Sequence, residues 1–140
     1  MENLITYSEV INSPIDHVWK HLLIKTEHPE KFIPAISNVE ILDRTPNYII
    51  RKMEISVHGN DVTFVEKILT KPYTVRYDII EHPSNIGHVE NIAESVDPNK
   101  TKLIYTMAWE NKITHDSANN PDMLKAAVLQ SKKFIEENPI

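Results

Sequence analysis

Arg51 and Glu66 are the charged residues whose positions in the sequence point to chemistry inside the protein. They lie on either side of Gly59-Asn60, in two runs that predict the strands of a hairpin. We expect a type II′ turn at Gly59-Asn60, which pairs His58 with Asp61. In that register both charged side chains project to the apolar face, on a diagonal that long side chains can bridge. The pair is therefore a candidate polar site for a ligand, and the alternative is an internal ion pair that sets the register.

The other positions of this hairpin follow from the same register. Side chains alternate between the two faces of a strand, so one face collects the apolar residues. Met53 and Phe64 lie on that face and are candidate ligand contacts. The predicted cross-strand pairs are Val57 with Val62, Ile55 with Phe64, Met53 with Glu66, and Arg51 with Ile68.

Two later strands supply further inward side chains. The last strand places Tyr105, Met107 and Trp109 on one face. Pro98 cannot adopt a positive φ, so we predict a three-residue loop in which it opens a type I turn. That loop turns inward the side chains of Val89, Asn91, Ala93 and Ser95.

Aromatic residues on these faces and on the last predicted helix either line a cavity or fill a core. If they line a cavity, they belong to a ligand site together with the hairpin residues and one amide. The candidate ligand-binding residues are Arg51, Met53, Phe64, Glu66, Tyr77, Asn91, Tyr105, Trp109 and Phe134.

His17 and His21 have the i, i+4 spacing that can bind a metal ion. However, they project opposite the apolar stripe of their predicted helix, and no His-Glu-x-x-His pattern accompanies them. We therefore predict a solvent-exposed pair and no metal or other cofactor. The chain has no cysteine, no glycine-rich phosphate loop and no serine nucleophile elbow, so no catalytic residue is assigned.

A long helix is predicted for residues 120–138, and both of its ends carry local signals. Asn120 suits the N-cap and Pro121 the first helical position, while Asn138-Pro139 ends the run. Leu129 is the apolar exception on the outer face. An amphipathic helix of this length needs a partner surface, and its apolar arc comprises Met123, Leu124, Ala127, Val128, Ser131, Phe134 and Ile135.

Almost everything upstream of that helix predicts strands. A first strand at residues 4–11 precedes two short helices, one capped by Ser13 and ending near Lys25, the other at residues 28–34. Six strands follow between residues 36 and 110, separated by turn-forming residues, and Gly87 marks a possible bulge in one of them. The predicted fold class is α+β, with a seven-stranded antiparallel sheet against the C-terminal helix.

Length and composition set outer limits on the function. The 140 residues, 41% apolar and 25% charged, suit a single domain spanning residues 1–140. A net charge of −5 without a basic cluster disfavours nucleic acid as a partner. No basic segment followed by an apolar run opens the chain, and no stretch is long enough for membrane insertion. We expect a soluble, cytoplasmic protein of undetermined oligomeric state.

The order of elements resembles the helix-grip fold of the START and polyketide-cyclase (SRPBCC) superfamily, and residues 11–19 (INSPIDHVW) match its entry to the first helix. Within it the chain looks most like the AtaL-like group, through residues 89–92 (VENI) and 103–110 (LIYTMAWE). The resemblance implies a curved sheet around an apolar cavity, and ligands such as lipids, steroids or polyketides. It carries no catalytic residue over to this chain.

Three functions remain open from the sequence. A carrier or sensor binds a small hydrophobic molecule between the sheet and the C-terminal helix without turnover, and we favour this function. A cyclase or hydratase additionally requires titratable groups inside the cavity. A protein-interaction module has a closed core and an exposed apolar patch.

Overall fold

The computed structural model describes residues 3–57 and 59–138, except the side chain of Val57. A seven-stranded antiparallel sheet, in the order β1-β7-β6-β5-β4-β3-β2, packs against a C-terminal helix and confirms the predicted α+β helix-grip fold. Between β1 and β2 lie one helix that ends two residues beyond Lys25 and, where the second short helix was predicted, a single 3₁₀ turn (Pro29–Lys31). The elements are β1 (Ile5–Ile11), α1 (Ile15–Glu27), β2 (Ile36–Arg44), β3 (Tyr48–Val57), β4 (Asn60–Lys71), β5 (Thr74–Glu81), β6 (Asn85–Asp97), β7 (Lys100–Asn111) and α2 (Pro121–Glu137).

The helix α2 begins and ends where the local signals predict. The Asn120 side chain accepts a hydrogen bond from the Met123 amide at 3.0 Å, which satisfies one of the amides left unpaired at a helix start. Met123 itself is 44% exposed, so the predicted apolar arc is too wide at this end. The part of the arc that is buried comprises Leu124, Val128, Ser131 and Ile135.

The β3–β4 hairpin has the predicted faces but a different register. Arg51 lies directly opposite Glu66 and Met53 opposite Phe64, so each pairing differs by two residues from the prediction. The turn closes at Val57 and Asn60, which makes Gly59, with a φ of 81°, the second loop residue rather than the first. A shift of two preserves the side-chain alternation, which is why the inward faces were predicted correctly.

Two of the predicted hairpin pairings need separate mention. Asp61 pairs with Ser56, whereas the proposed partner His58 lies outside the described residues. Val62 pairs with Ile55.

The loop between β6 and β7 is shorter than predicted, and a bulge compensates for it. Asp97 pairs with Lys100 around a two-residue turn, and the register shifts between Ser95 and Asp97. Because the extra residue in the bulge restores the predicted side-chain alternation, Asn91 and Ala93 are buried as expected. Ser95 is exposed, so its predicted inward position was wrong.

Two local interpretations were also wrong. α1 begins after Pro14, and Ser13 makes no side-chain cap; its carbonyl instead accepts a hydrogen bond from Thr101 Oγ1 at 2.8 Å. Gly87 lies in unbroken register with Trp109 rather than in a bulge. A Cβ at Gly87 would lie 1.9 Å from the Ala108 carbonyl oxygen, and its φ is 126°, so the strand needs glycine for close approach.

The histidine pair on α1 contacts α2 instead of solvent, which corrects the predicted exposure. His21 is 3% exposed, and its Nε2 donates to the Asn138 carbonyl at 2.8 Å. His17 Nε2 lies 3.3 Å from the Ile135 carbonyl. Both rings therefore bind carbonyls at the C-terminal end of α2, where an α-helix leaves its acceptors unpaired. No group of three potential metal-ligating side chains occurs in the described part of the chain.

The stability of the protein is expected to fall as the pH drops from about 7 to about 5. Burial lowers the pKa of His21 below its ordinary 6.5, although the hydrogen bond to Asn138 opposes the shift. The unfolded chain therefore takes up the proton first, and folding loses free energy as the pH falls through the unfolded value. Burial lowers the pKa of His82 as well, so His82 also contributes to the loss of stability as the pH falls.

Chemical denaturation at both pH values measures this dependence. His21→Gln should make it shallower. Equal slopes in the native protein and His21→Gln would show that His21 does not contribute.

The two edge strands of the sheet are β1 and β2. Side chains of α2 bond to main-chain groups near the end of β1, whereas β2 has an irregular backbone. The Lys132 side chain donates to the Val10 carbonyl at 2.6 Å and Glu136 accepts from the Asn12 amide at 2.7 Å, so α2 bonds to the C-terminal end of β1. β2 is irregular instead, with two register shifts against β3 and a positive φ of 51° at Asn38.

Candidate functional site

A cavity of about 240 Å³ lies between the sheet and α2. Exposed residues of α2, namely Met123, Ala126 and Gln130, also border it, which places its mouth beside the N-terminal half of that helix. Most of the wall is apolar. This apolar part comprises Pro29, Ile33, Ile36, Met53, Ile55, Phe64, Val89, Met107, Leu124 and Ala127.

Arg51 and Glu66 form a buried ion pair in the cavity wall. Arg51 Nη2 lies 2.7 Å from Glu66 Oε1, and the two residues are 2% and 5% exposed. Arg51 Nη1 also donates to the carbonyls of Lys25 and Thr26, at 3.2 and 2.9 Å. These carbonyls belong to the last turn of α1, where helical acceptors lack partners. Arg51 therefore joins α1 to the hairpin while it borders the cavity.

Lys25 is a buried cation in the same wall, and the sequence analysis did not single it out. It is 7% exposed, and its Nζ donates to Asn91 Oδ1 and to the Tyr105 hydroxyl, both at 2.9 Å. A signal for this was present, because Lys25 continues the helical spacing of the buried Val18 and Leu22. A lysine near a helix end is ordinarily solvent-exposed, so the sequence predicts at Lys25 only the end of the helix.

The Lys25 contacts continue into α2. The Tyr105 hydroxyl lies 2.7 Å from Ser131 Oγ, so one short hydrogen-bonded chain links α1, β7 and α2 across the interior. The buried Ser131 on the inner face of α2 is explained by this partner.

Several polar atoms of the cavity wall have no hydrogen-bond partner among the described residues. They are the Tyr77 hydroxyl, Asn91 Nδ2, Trp109 Nε1 and Arg51 Nε. Burial raises the pKa of Tyr77, against the opposing effect of the neighbouring Arg51, so the hydroxyl keeps its proton at neutral pH. Buried polar groups are normally paired, so four unpaired ones in residues that border one cavity are exceptions that need an explanation.

Eight of the nine predicted ligand-site residues border this cavity: Arg51, Met53, Phe64, Glu66, Tyr77, Asn91, Tyr105 and Trp109. Phe134 does not. Its ring centroid lies 4.4 Å from that of Phe32 and 5.5 Å from that of His21, so Phe134 packs in an aromatic cluster with these two residues.

A curved antiparallel sheet of seven strands that holds a C-terminal helix defines the START and polyketide-cyclase class of helix-grip proteins, which confirms the resemblance seen in the sequence. Within this class the chain belongs to the AtaL family. The family model described as acetylaranotin biosynthesis cluster protein L matches residues 7–137. No protein with a curated description matches the chain in sequence.

Solved structures with the same fold are distant in sequence. Norcoclaurine synthase from Thalictrum flavum superposes with a TM-score of 0.74 at 13% identity, covering 100% of this chain and 90% of that one. The Zhui aromatase/cyclase from Streptomyces sp. R1128 gives 0.71 at 18% identity, over 98% and 86%. The lipid transfer and protein localization domain of human StarD13 gives 0.72 at 13% identity, over 98% and 78%. At these identities the similarity shows the fold alone.

No helix among residues 3–57 and 59–138 is both long enough and apolar enough to cross a membrane.

Proposed function

We propose that the protein binds a small, mostly apolar molecule in the cavity between the sheet and α2. The observation that carries the proposal is that the cavity wall combines a large apolar part with a few charged and polar groups. Apolar side chains form most of it, whereas three buried charged residues and four residues with an unpaired polar atom also border the cavity. This combination of an apolar pocket with a few placed polar groups is typical of small-molecule sites.

Two further observations support a binding site over a simple core. The cavity borders exposed residues of α2, so a molecule has a route from solvent. The structural neighbours include a protein named as a lipid transfer domain and one named as an aromatase/cyclase, and both names concern small organic molecules.

Turnover is the second candidate function, and Lys25 is the observation in its favour. A buried ammonium group bonded to a phenol and an amide inside an apolar pocket has the composition of a general-acid site. A cyclase of this kind would convert its ligand, whereas a carrier would release it unchanged. Native mass spectrometry of protein purified from its own host, followed by chemical identification of any released molecule before and after incubation, separates the two.

Filling the cavity is expected to weaken binding of a neutral apolar probe such as N-phenylnaphthylamine by at least about tenfold. Ala127→Phe places a ring inside, because Ala127 lies on the cavity-facing side of α2. Leu129→Phe is the matched control, since Leu129 is 39% exposed on the outer side of the same helix and is not part of the wall. Probe fluorescence titration measures the affinity, and cooperative unfolding of both variants verifies the fold. Equal affinities in the two variants would contradict the proposal.

A further inference from the structure

We infer that the ligand has a negatively charged, hydrogen-bond-accepting end, and that Lys25, Asn91 and Tyr77 bind it. The inference rests on the proposed function and names its ligand class: a small apolar acid, with a carboxylate or an equally acidic oxygen at one end.

The first argument is the balance of charge in the wall. Two cations, Lys25 and Arg51, and one anion, Glu66, border the cavity. Arg51 and Glu66 pair with each other, whereas Lys25 bonds only to neutral groups and forms no ion pair with any described carboxylate. A buried unpaired cation is costly, and an anion beside it removes that cost. The wall is therefore complementary to a ligand of one negative charge.

The second argument is the donor character of the polar atoms that lack a partner among the described residues. Lys25 donates to Asn91 Oδ1, which sets the orientation of the amide and leaves its NH₂ group without an acceptor. Burial keeps the Tyr77 hydroxyl protonated, and Trp109 Nε1 is a donor only. Lys25 itself uses two of its three N–H bonds. Each of these groups has a hydrogen to donate, so a ligand that supplies acceptor oxygens satisfies all of them.

The two arguments together exclude simpler ligands. A neutral alcohol or amine would add a donor where donors are already in excess. A neutral ketone or amide would satisfy the hydrogen bonds and leave the charge of Lys25 unbalanced. Only an anionic acceptor meets both requirements. The small volume of about 240 Å³ favours a body of one or two rings or a short branched chain, below the usual 300–1,000 Å³ of drug-sized sites.

The test compares two probes of nearly the same shape, naphthoic acid and the naphthamide of the same substitution, by calorimetric titration at neutral pH. The native protein should bind the anion at least about tenfold more tightly than the amide. Lys25→Met should remove most of this preference and leave the amide affinity within about threefold of native, since methionine retains the apolar stem. Lys20→Met, at an exposed position of the same helix, is the matched control and should behave as native.

Tyr77→Phe provides a second variant, which keeps the aromatic ring beneath Lys25 and leaves the Lys25 hydrogen bonds in place. It removes a hydroxyl that has no partner among residues 3–57 and 59–138, so the fold should not change. Its anion affinity should fall several-fold while the amide affinity changes less.

Equal affinities of the two probes for the native protein would overturn the inference. An equal loss of both probes in Lys25→Met would overturn it as well. If either result occurs while the neutral probe still distinguishes Ala127→Phe from Leu129→Phe, the proposed function stands and only the acidic ligand class falls. If the neutral probe does not distinguish those variants, both fall.

Discussion

Replacing Arg51 with methionine is expected to lower the free energy of unfolding by about 3–5 kcal/mol. The Glu66 carboxylate, 5% exposed, would lose its cation and remain in a low-dielectric interior. The carbonyls of Lys25 and Thr26 at the end of α1 would lose their donors in addition. Urea denaturation of the variant and of native protein measures the difference.

The double variant Arg51→Met with Glu66→Leu separates the ion pair from the helix contacts. Removing both charges should recover most of the loss, because paired buried charges add little net stability. The loss in free energy of unfolding that the double variant does not recover is due to the two α1 carbonyls, which lack their Arg51 donor in both variants. Lys52→Met, at the exposed neighbouring position on β3, should have little effect. If the single and double variants are equally destabilised, the burial of Glu66 is not the cause.

The same double variant decides between the two functions considered for the pair. A purely structural pair predicts that the folded double variant binds the neutral probe as native protein does. A pair that contacts the ligand predicts weaker binding with the fold retained.

Removing residues 121–140 is expected to abolish cooperative unfolding. Leu124, Val128 and Ile135 are almost fully buried, and each such side chain contributes about 1.5–3 kcal/mol. Their sum is comparable with the 5–15 kcal/mol that stabilise a typical domain. Loss of a sigmoidal thermal transition in circular dichroism would show the effect, and a truncated chain that still melts cooperatively at a similar temperature would refute it.

Point variants of α2 provide a control in the full-length chain. Val128→Asp places a carboxylate at a fully buried position and should be strongly destabilising. Leu129→Asp, one residue further on the outer side, should be nearly neutral. Similar stabilities of the two variants would mean that the inner face of α2 is not a core.

Several features that depend on local sequence were predictable, whereas those that depend on tertiary packing were not. The Asn120 cap and the inward faces of β3, β4 and β7 follow from cap chemistry and side-chain alternation. The hairpin register was wrong by two because alternation determines only odd or even pairing. His17 and His21 were placed in solvent because the contact of α1 with the end of α2 has no signal within α1.

The candidate site was predictable in its residues but not in its geometry. Alternation identified seven side chains of the wall and the aromatic character of Tyr77 added an eighth, yet whether they enclose a cavity depends on the distance between the sheet and α2. Lys25 was missed because a lone lysine is almost always solvated, and its two partners lie 66 and 80 residues further along the chain.

The structure of the two edge strands, β1 and β2, affects how readily the protein aggregates at high concentration. An exposed, regular strand offers its unpaired main chain to another molecule, and such addition of strands leads to aggregation. Here α2 side chains already bond to main-chain groups at the end of β1. The shifts in β2 break the even spacing of main-chain groups that an incoming strand would need. We therefore expect both edges of the sheet to resist the addition of a strand from another molecule.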